Sequence, residues 1–224
     1  MNITTINNSF SIFGNYASVV GNLPSLVAIF NGYQVKTFKE RFPTGTEHDC
    51  YRFSFANKSV TLRPGRLDIE FAFAASSKGK DFLQFMKETV AKLLPLNQFL
   101  GSRIAFNSVE FIESSPQIIE RLSNLLNVNA IFSAPASELS IRLNHVKKIG
   151  NEDFNSIITV QDGMVTNAAT KRQAPAIFIN KDINTVAANT AQRFALSDYS
   201  QPLLSMMLEA ESRTNAIISK ISDE

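Results

Sequence analysis

The stretch Cys50–Ala75, CYRFSFANKSVTLRPGRLDIEFAFAA, decides the fold, because it reads as three antiparallel strands joined by two tight turns. The turn signals are Asn57-Lys58 and Pro64-Gly65: Asn tolerates the left-handed conformation, Pro presets φ, and Gly closes the corner. Pairing Ala56 with Ser59 and Arg63 with Arg66 sets Phe55, Val60 and Ile69 in one cross-strand row and Phe53, Leu62 and Leu67 in the next. Side chains alternate faces along a strand, so the same register sends Ser54, Thr61 and Asp68 to the other face, with Arg52, Arg63 and Arg66 beside them. One face is core; the other is polar and carries an arginine cluster. A Pro-Gly corner suits a type II turn, which fits hairpin twist less well than the primed turns. A wider loop keeps the parity of the apolar positions only if it grows by an even number.

Working outward, Asp81 and Gln84 have the spacing of a capping box, and Phe82, Phe85, Met86, Val90 and Leu93 form a helical apolar stripe that Pro95 ends. This helix is expected on the Phe face of the meander. Upstream, the first charged residue is Lys36, so thirty-five residues pass without a formal charge. Within them Ser9–Phe13 reads as a short strand. Leu23, Leu26, Val27 and Phe30 read as a helix over 23–30, bounded by Asn22 with Pro24 and by Asn31-Gly32. Such an uncharged segment is either buried against the body of the protein or an interface. Tyr33–Lys39 alternates as a strand, and Arg41–Asp49 reads as a loop.

Downstream, Arg103–Ile112 reads as a strand whose apolar phase slips between Ile104/Phe106 and Val109/Phe111, which predicts a bulge near Asn107-Ser108. Ser115-Pro116 opens a helix bearing Ile118, Ile119, Leu122, Leu125 and Leu126. After Pro135, strands are expected at Leu139–Val146, Phe154–Gln161, Met164–Ala169 and Ala176–Asn180, with Asp162-Gly163 as a hairpin turn. A long helix spans about Pro202 to Ile221. The fold class is α+β, mainly antiparallel sheet with packed helices. Two similar halves are expected, 1–114 and 115–224, each several strands followed by a helix and packed as one compact unit.

Composition narrows the function classes. Hydrophobic residues make up 44% and charged residues 19%, the balance of a globular protein. Twenty-two Lys and Arg against twenty Asp and Glu give a net charge of +2, so any anion site is local. The lone cysteine, Cys50, rules out an intrachain disulfide framework and cysteine-cluster metal sites. Without a run of 18 apolar residues or a secretory leader pattern, the expectation is a cytoplasmic protein with no membrane partner. Phosphate-loop, HExxH, CxxC and GxSxG motifs are absent from the sequence, and no cofactor, metal ligand or catalytic residue is assigned.

The chemistry-bearing residues are few. Cys50 could pair with a histidine, but His48 lies on the expected loop and His145 shares phase with Leu139, Ile141 and Leu143, which suits a satisfied edge or core position. By parity Cys50 sits near the arginines, which predicts a somewhat acidified thiol. Asp68 with Glu70, and Glu152 with Asp153, lack converging partners for a divalent ion; Lys147-Lys148 and Lys171-Arg172 read as solvated loop charges. In the closing helix Leu203, Met207, Ala210, Thr214, Ile217 and Ile221 recur at coiled-coil spacing, with Leu204, Leu208 and Ile218 widening the stripe. That seam either covers the protein's own sheet or joins a second copy. These features point to a non-catalytic interaction or assembly component, oligomeric and with a protein partner. The alternatives are nucleic-acid or phosphorylated-ligand binding through Arg52, Arg63 and Arg66, and an enzyme using Cys50.

Overall fold

The computed structural model describes residues 3–41, 45–74, 79–96, 99–125, 139–166 and 170–222. Ala75, Leu126, Pro135 and the 167–169 end of one expected strand lie outside them. The strands are β1 (Ile3–Gly14), β2 (Gln34–Arg41), β3 (Glu47–Phe55), β4 (Lys58–Arg63), β5 (Arg66–Ala72), β6 (Leu100–Glu113), β7 (Ser140–Ile149), β8 (Glu152–Thr166), β9 (Gln173–Thr185) and the short β10 (Phe194–Ala195). The helices are α1 (Ala17–Val20), α2 (Leu23–Ile29), α3 (Gly79–Leu93), α4 (Pro116–Leu125) and α5 (Ser200–Ser222). All the strands join one antiparallel sheet in the order β2-β3-β4-β5-β1-β6-β9-β8-β7, with β10 added against the start of β6. At the usual spacing of about 4.8 Å per strand, this sheet is roughly 40 Å across.

The meander forms with one register correction. β3 and β4 turn at Ala56-Asn57, with Phe55 opposite Lys58, rather than at Asn57-Lys58. Ala56 takes the positive φ of 51° that the tight corner requires. Each β3 residue therefore moves by two positions against β4, which preserves every face. The core rows are Phe53–Val60–Ile69 and Tyr51–Leu62–Leu67, while Phe55 slides to the rim, 55% exposed. The Pro64-Gly65 turn has two residues, with Arg63 opposite Arg66. Gly65 does not adopt the positive φ of a type II corner.

Alternation explains the centre of the sheet. Phe10 and Ile12 of β1 face the helices, whereas Ser9, Ser11 and Phe13 face away. Tyr16, Val19, Val20, Leu26 and Phe30 are buried in the same core, so the uncharged lead segment contributes large apolar side chains to the interior, while its Val27 and Val35 stay exposed. Asn22 Oδ1 caps α2 by accepting from the Ser25 amide, and Pro24 sits in its first turn, as the sequence predicts. α3 starts at Gly79, two residues before Asp81, so the expected capping box does not form; Gln84 donates to Glu88 instead. Its Phe82, Phe85 and Met86 lie on the Phe face of the meander as expected.

The phase slip in β6 has a different cause from a bulge at Asn107-Ser108. β6 alternates without interruption, placing Ile104, Phe106, Ser108, Glu110 and Ile112 toward the helices and Val109 and Phe111 on the opposite face. The irregularity sits in the partner strand, where Ile6 is the extra residue between Thr5 and Asn7.

Asp162-Gly163 is likewise not a turn. β8 passes straight through it, pairing Asp162 with Ile177 and Gly163 with Ala176. Asp162 Oδ1 accepts from the Leu139 amide at 2.7 Å and its own N–H donates to the Leu139 carbonyl, so it pins the start of β7. Gly163 is required by a close approach, since a Cβ there would meet the Phe178 ring at 2.9 Å. The β7–β8 hairpin instead turns at Gly150-Asn151, with Gly150 at φ 61°.

The described helices bury their apolar residues on one face of the sheet, in two clusters: a large one under α1, α2, α3 and the first half of α5, and a smaller one under α4 and the end of α5. A polar seam runs between them. Lys181 of β9 is fully buried and ion-paired to Glu110 at 2.5 Å, donating also to Thr214 Oγ1, which in turn donates to Glu110. Beside it Glu209 accepts from Lys147, Arg213 and Ser156. At the far end of the sheet Arg193 forks onto Glu152, tying the segment before β10 to the β7–β8 corner.

These bridges set an acid limit. The hydrogen bond from Arg193 holds the Glu152 carboxyl below its ordinary value. Burial pushes Glu209 upward, but the hydrogen bonds from Lys147, Arg213 and Ser156 with the Arg213 charge outweigh it and leave it lowered. A carboxylate whose folded pKa is depressed stabilises fully above its unfolded value, and that contribution disappears as pH falls through the folded one. Stability is expected to be flat near neutrality and to fall in the acid range. Arg193→Gln should remove about 1–2 kcal/mol at neutral pH and flatten the acid slope, as denaturant titrations at several pH values would read. An unchanged slope would mean that the bridge contributes nothing.

Candidate functional site: the helix-free face of the sheet

No described helix packs its apolar residues on the second face, which presents alternate residues of nine strands. The sequence-predicted arginines all lie here, but the shifted β3 register separates them. Arg52 stands opposite Thr61, two residues along β4 from the Arg63–Arg66 pair, and bonds Glu70 at 2.9 Å and Ser59 at 3.0 Å. Arg63 meets Asp68 and, at 3.2 Å, Glu40 of β2. Arg66 donates to the same Asp68 oxygen at 2.9 Å. Asp68 is buried and receives the Ser11 hydroxyl on its other oxygen at 2.6 Å, so one carboxylate holds two guanidinium groups. The like charges of Arg63 and Arg66 across the ladder are compensated in place.

Two neighbours extend the row beyond the meander. Phe13 of β1 lies between Arg66 on one side and Arg103 of β6 on the other, and both guanidinium groups sit over its ring, at 5.7 and 5.2 Å. Arg63 lies over Phe38 of β2 at 5.7 Å. Arg103 Nε is buried without a hydrogen-bond partner among the described residues. The face therefore carries an arginine–aromatic strip, Phe38, Arg63, Arg66, Phe13, Arg103, across five strands. Within the meander alone no aromatic shares this face; the rings come from β1 and β2. Alternation around Phe10 and Ile12 would have placed Phe13 on this face, but which strands flank the meander is a tertiary fact.

Cys50 is on this face by parity but fully buried. Burial and the nearby Glu40 carboxylate push its thiol up, with Arg63 opposing, which corrects the expectation of an acidified thiol. His145 is exposed on the edge strand β7, opposite Ser156, rather than packed in an apolar row. Among the described residues no group of three or more His, Cys, Asp or Glu is placed to hold a metal ion, and no helix is long and apolar enough to cross a membrane.

The coiled-coil seam of α5 packs on its own sheet. Leu203, Ala210, Thr214 and Ile221 are buried within the chain, and Met207 and Ile217 are partly buried against the two clusters. Met206, which the heptad spacing omits, is fully buried, while Leu208 on the flank is 66% exposed. Met207→Glu is accordingly expected to destabilise the fold by about 1–3 kcal/mol. Sedimentation and thermal melting separate the two roles: a change in mass without a change in melting would place the seam between copies.

The fold and this face define a single-sheet α+β protein with one side clad in helices and the other free of helices among the described residues. No protein-family model matches the chain, and no curated protein matches it in sequence.

Proposed function

We propose that the protein is a non-catalytic binding protein, an interaction or assembly component, that presents the helix-free sheet face to a protein partner. One observation carries this reading: the strip Phe38, Arg63, Arg66, Phe13, Arg103 combines arginine and aromatic side chains, the residue types that dominate binding energy at protein interfaces, on a face that no described helix covers. Because the α5 seam serves its own sheet, an oligomer of this chain would use other surface. The buried, single Cys50 suits a reducing compartment such as the cytoplasm.

The second reading is nucleic-acid or phosphorylated-ligand binding on the same strip. Arg103 favours it, since its Nε has no hydrogen-bond partner among the described residues while its guanidinium lies over Phe13. Arg52, Arg63 and Arg66 each engage a carboxylate, which weakens their pull on phosphate.

One experiment separates the two. Wild type and Arg103→Glu are compared for a stoichiometric co-purifying protein and for binding to short DNA and RNA oligomers at two salt concentrations. Loss of the partner in the variant, with no oligomer binding by the wild type, supports the protein reading. Salt-dependent oligomer binding that Arg103→Glu abolishes supports the phosphate reading. If neither changes with the substitution, the strip is structural and both readings fail.

We further propose that the chain is a duplicated unit. Outward from the central β1–β6 pair, β5, β4 and β3 on one side correspond to β9, β8 and β7 on the other. α1 and α2 after β1 correspond to α4 after β6, and α3 after β5 to α5 after β9. In this correspondence the halves meet between α3 and β6 rather than at residue 114.

A further inference from the structure

On the opposite, helix-clad face, α5 leaves a cleft of about 330 Å³ against β1, β6 and β9. Its apolar walls include Phe73, Phe106 and Met207, and its polar lining includes Asn8, Glu110 and Glu211. Asn8 is only 5% exposed, yet its Oδ1 finds no hydrogen-bond partner among the described residues. A buried carboxamide oxygen left unpaired is destabilising, and such groups persist where something else supplies the missing bond. The Ile6 bulge is what brings Asn8 to this face beside Ser108, by resetting the phase of β1.

We infer that this cleft is a binding site for a small organic cation with an apolar body, an arylalkylamine in chemical class, whose ammonium hydrogen-bonds Asn8 and is neutralised by the acidic lining. Among the described residues the one cation in the lining is Lys181, which is ion-paired to Glu110, bonded to Thr214 and also within the field of Glu211, so two carboxylates face a single ammonium and leave one negative charge to a ligand. An anion would meet Glu211 and gain nothing from Lys181. An ammonium with a hydrocarbon body gains the carboxylate, the carboxamide oxygen and apolar contact with Phe73, Phe106 and Met207. The volume lies at the lower end of small-molecule sites, which limits the ligand to about one ring and a short chain.

The test titrates the full chain with 2-phenylethylamine, following backbone amide shifts, with phenylacetate as the anionic counterpart. Saturable shifts at Asn8, Phe73 and Thr214 with the amine and none with the acid are expected. Glu211→Gln, on the exposed rim, should weaken the amine at least about tenfold. Asn8→Leu should abolish binding while raising the melting temperature, because it removes an unpaired polar group from a buried position. No saturable shift in the wild type, equal binding of phenylacetate, or wild-type affinity in Glu211→Gln would each overturn the assignment. Since Arg103→Glu lies on the other face, failure here and failure of the interaction reading are independent.

Discussion

Lys181→Ala is expected to destabilise the protein by about 3–5 kcal/mol, the penalty for breaking a buried ion pair and leaving one charge behind. Glu110 would lose its partner in the seam between the two apolar clusters, and the Thr214 hydroxyl would lose a donor. The double replacement Lys181→Met with Glu110→Leu should recover most of that loss, because two apolar side chains of similar size leave no charge unpaired and the Thr214 hydroxyl keeps the Ala210 carbonyl as its acceptor. Denaturant unfolding of both variants decides it; a double variant as unstable as the single one would show that the seam is needed for packing and not for charge balance. There is also a pH signature. Burial lowers the Lys181 pKa below its ordinary value, with Glu110 opposing. The unfolded chain then binds the proton more tightly, so stability rises with pH between the folded and unfolded pKa values, and Lys181→Met should lack that rise.

Phe53→Ala should be comparably severe, about 3–5 kcal/mol, because the ring is fully buried and its removal leaves a cavity in the core. Phe53 stacks on Phe30 at 4.6 Å and pairs across the ladder with Val60, so its loss uncouples α2 from the meander. Ser54→Ala, one residue on and facing the other way, should be near neutral. Equal small effects at the two positions would mean that the faces are misassigned.

The meander was legible because its information is local. Alternating apolar residues and two turn signals specify faces even when the corner moves by two positions, as it does at Ala56-Asn57. Helix α2 was legible for the same reason, through Asn22, Pro24 and an apolar stripe. Asp162-Gly163 misled because the same dipeptide serves two physical needs, and only the Phe178 ring from the neighbouring strand decides that this glycine is for close packing. Lys181 was missed for a related reason. It stands in phase between Ile179 and Ile183, where alternation demands an apolar side chain, and its counter-ion lies on another strand. The Arg103–Phe13 contact joins residues that no sequence pattern brings together.

The central pairing of β1 with β6 also orders events in time. Ile12 finds Leu67 on one side and Ile104 on the other, so the first strand made gains its second neighbour only after β2 to β5 have been made. The hairpins of β2 to β5 close over short loops and can form as the chain emerges, while contacts of long sequence separation form slowly. Until β6 is available, β1 exposes one open edge, and the strand itself carries no charge to repel another chain. The uncharged polar residues of β1, Thr4, Thr5, Asn7, Asn8, Ser9 and Ser11, then supply what polarity the strand has during that interval. Nascent chains cut short between α3 and β6 would be the aggregation-prone species of this protein, and the yield of folded product should depend more on the rate of delivering β6 than on the stability of the finished sheet.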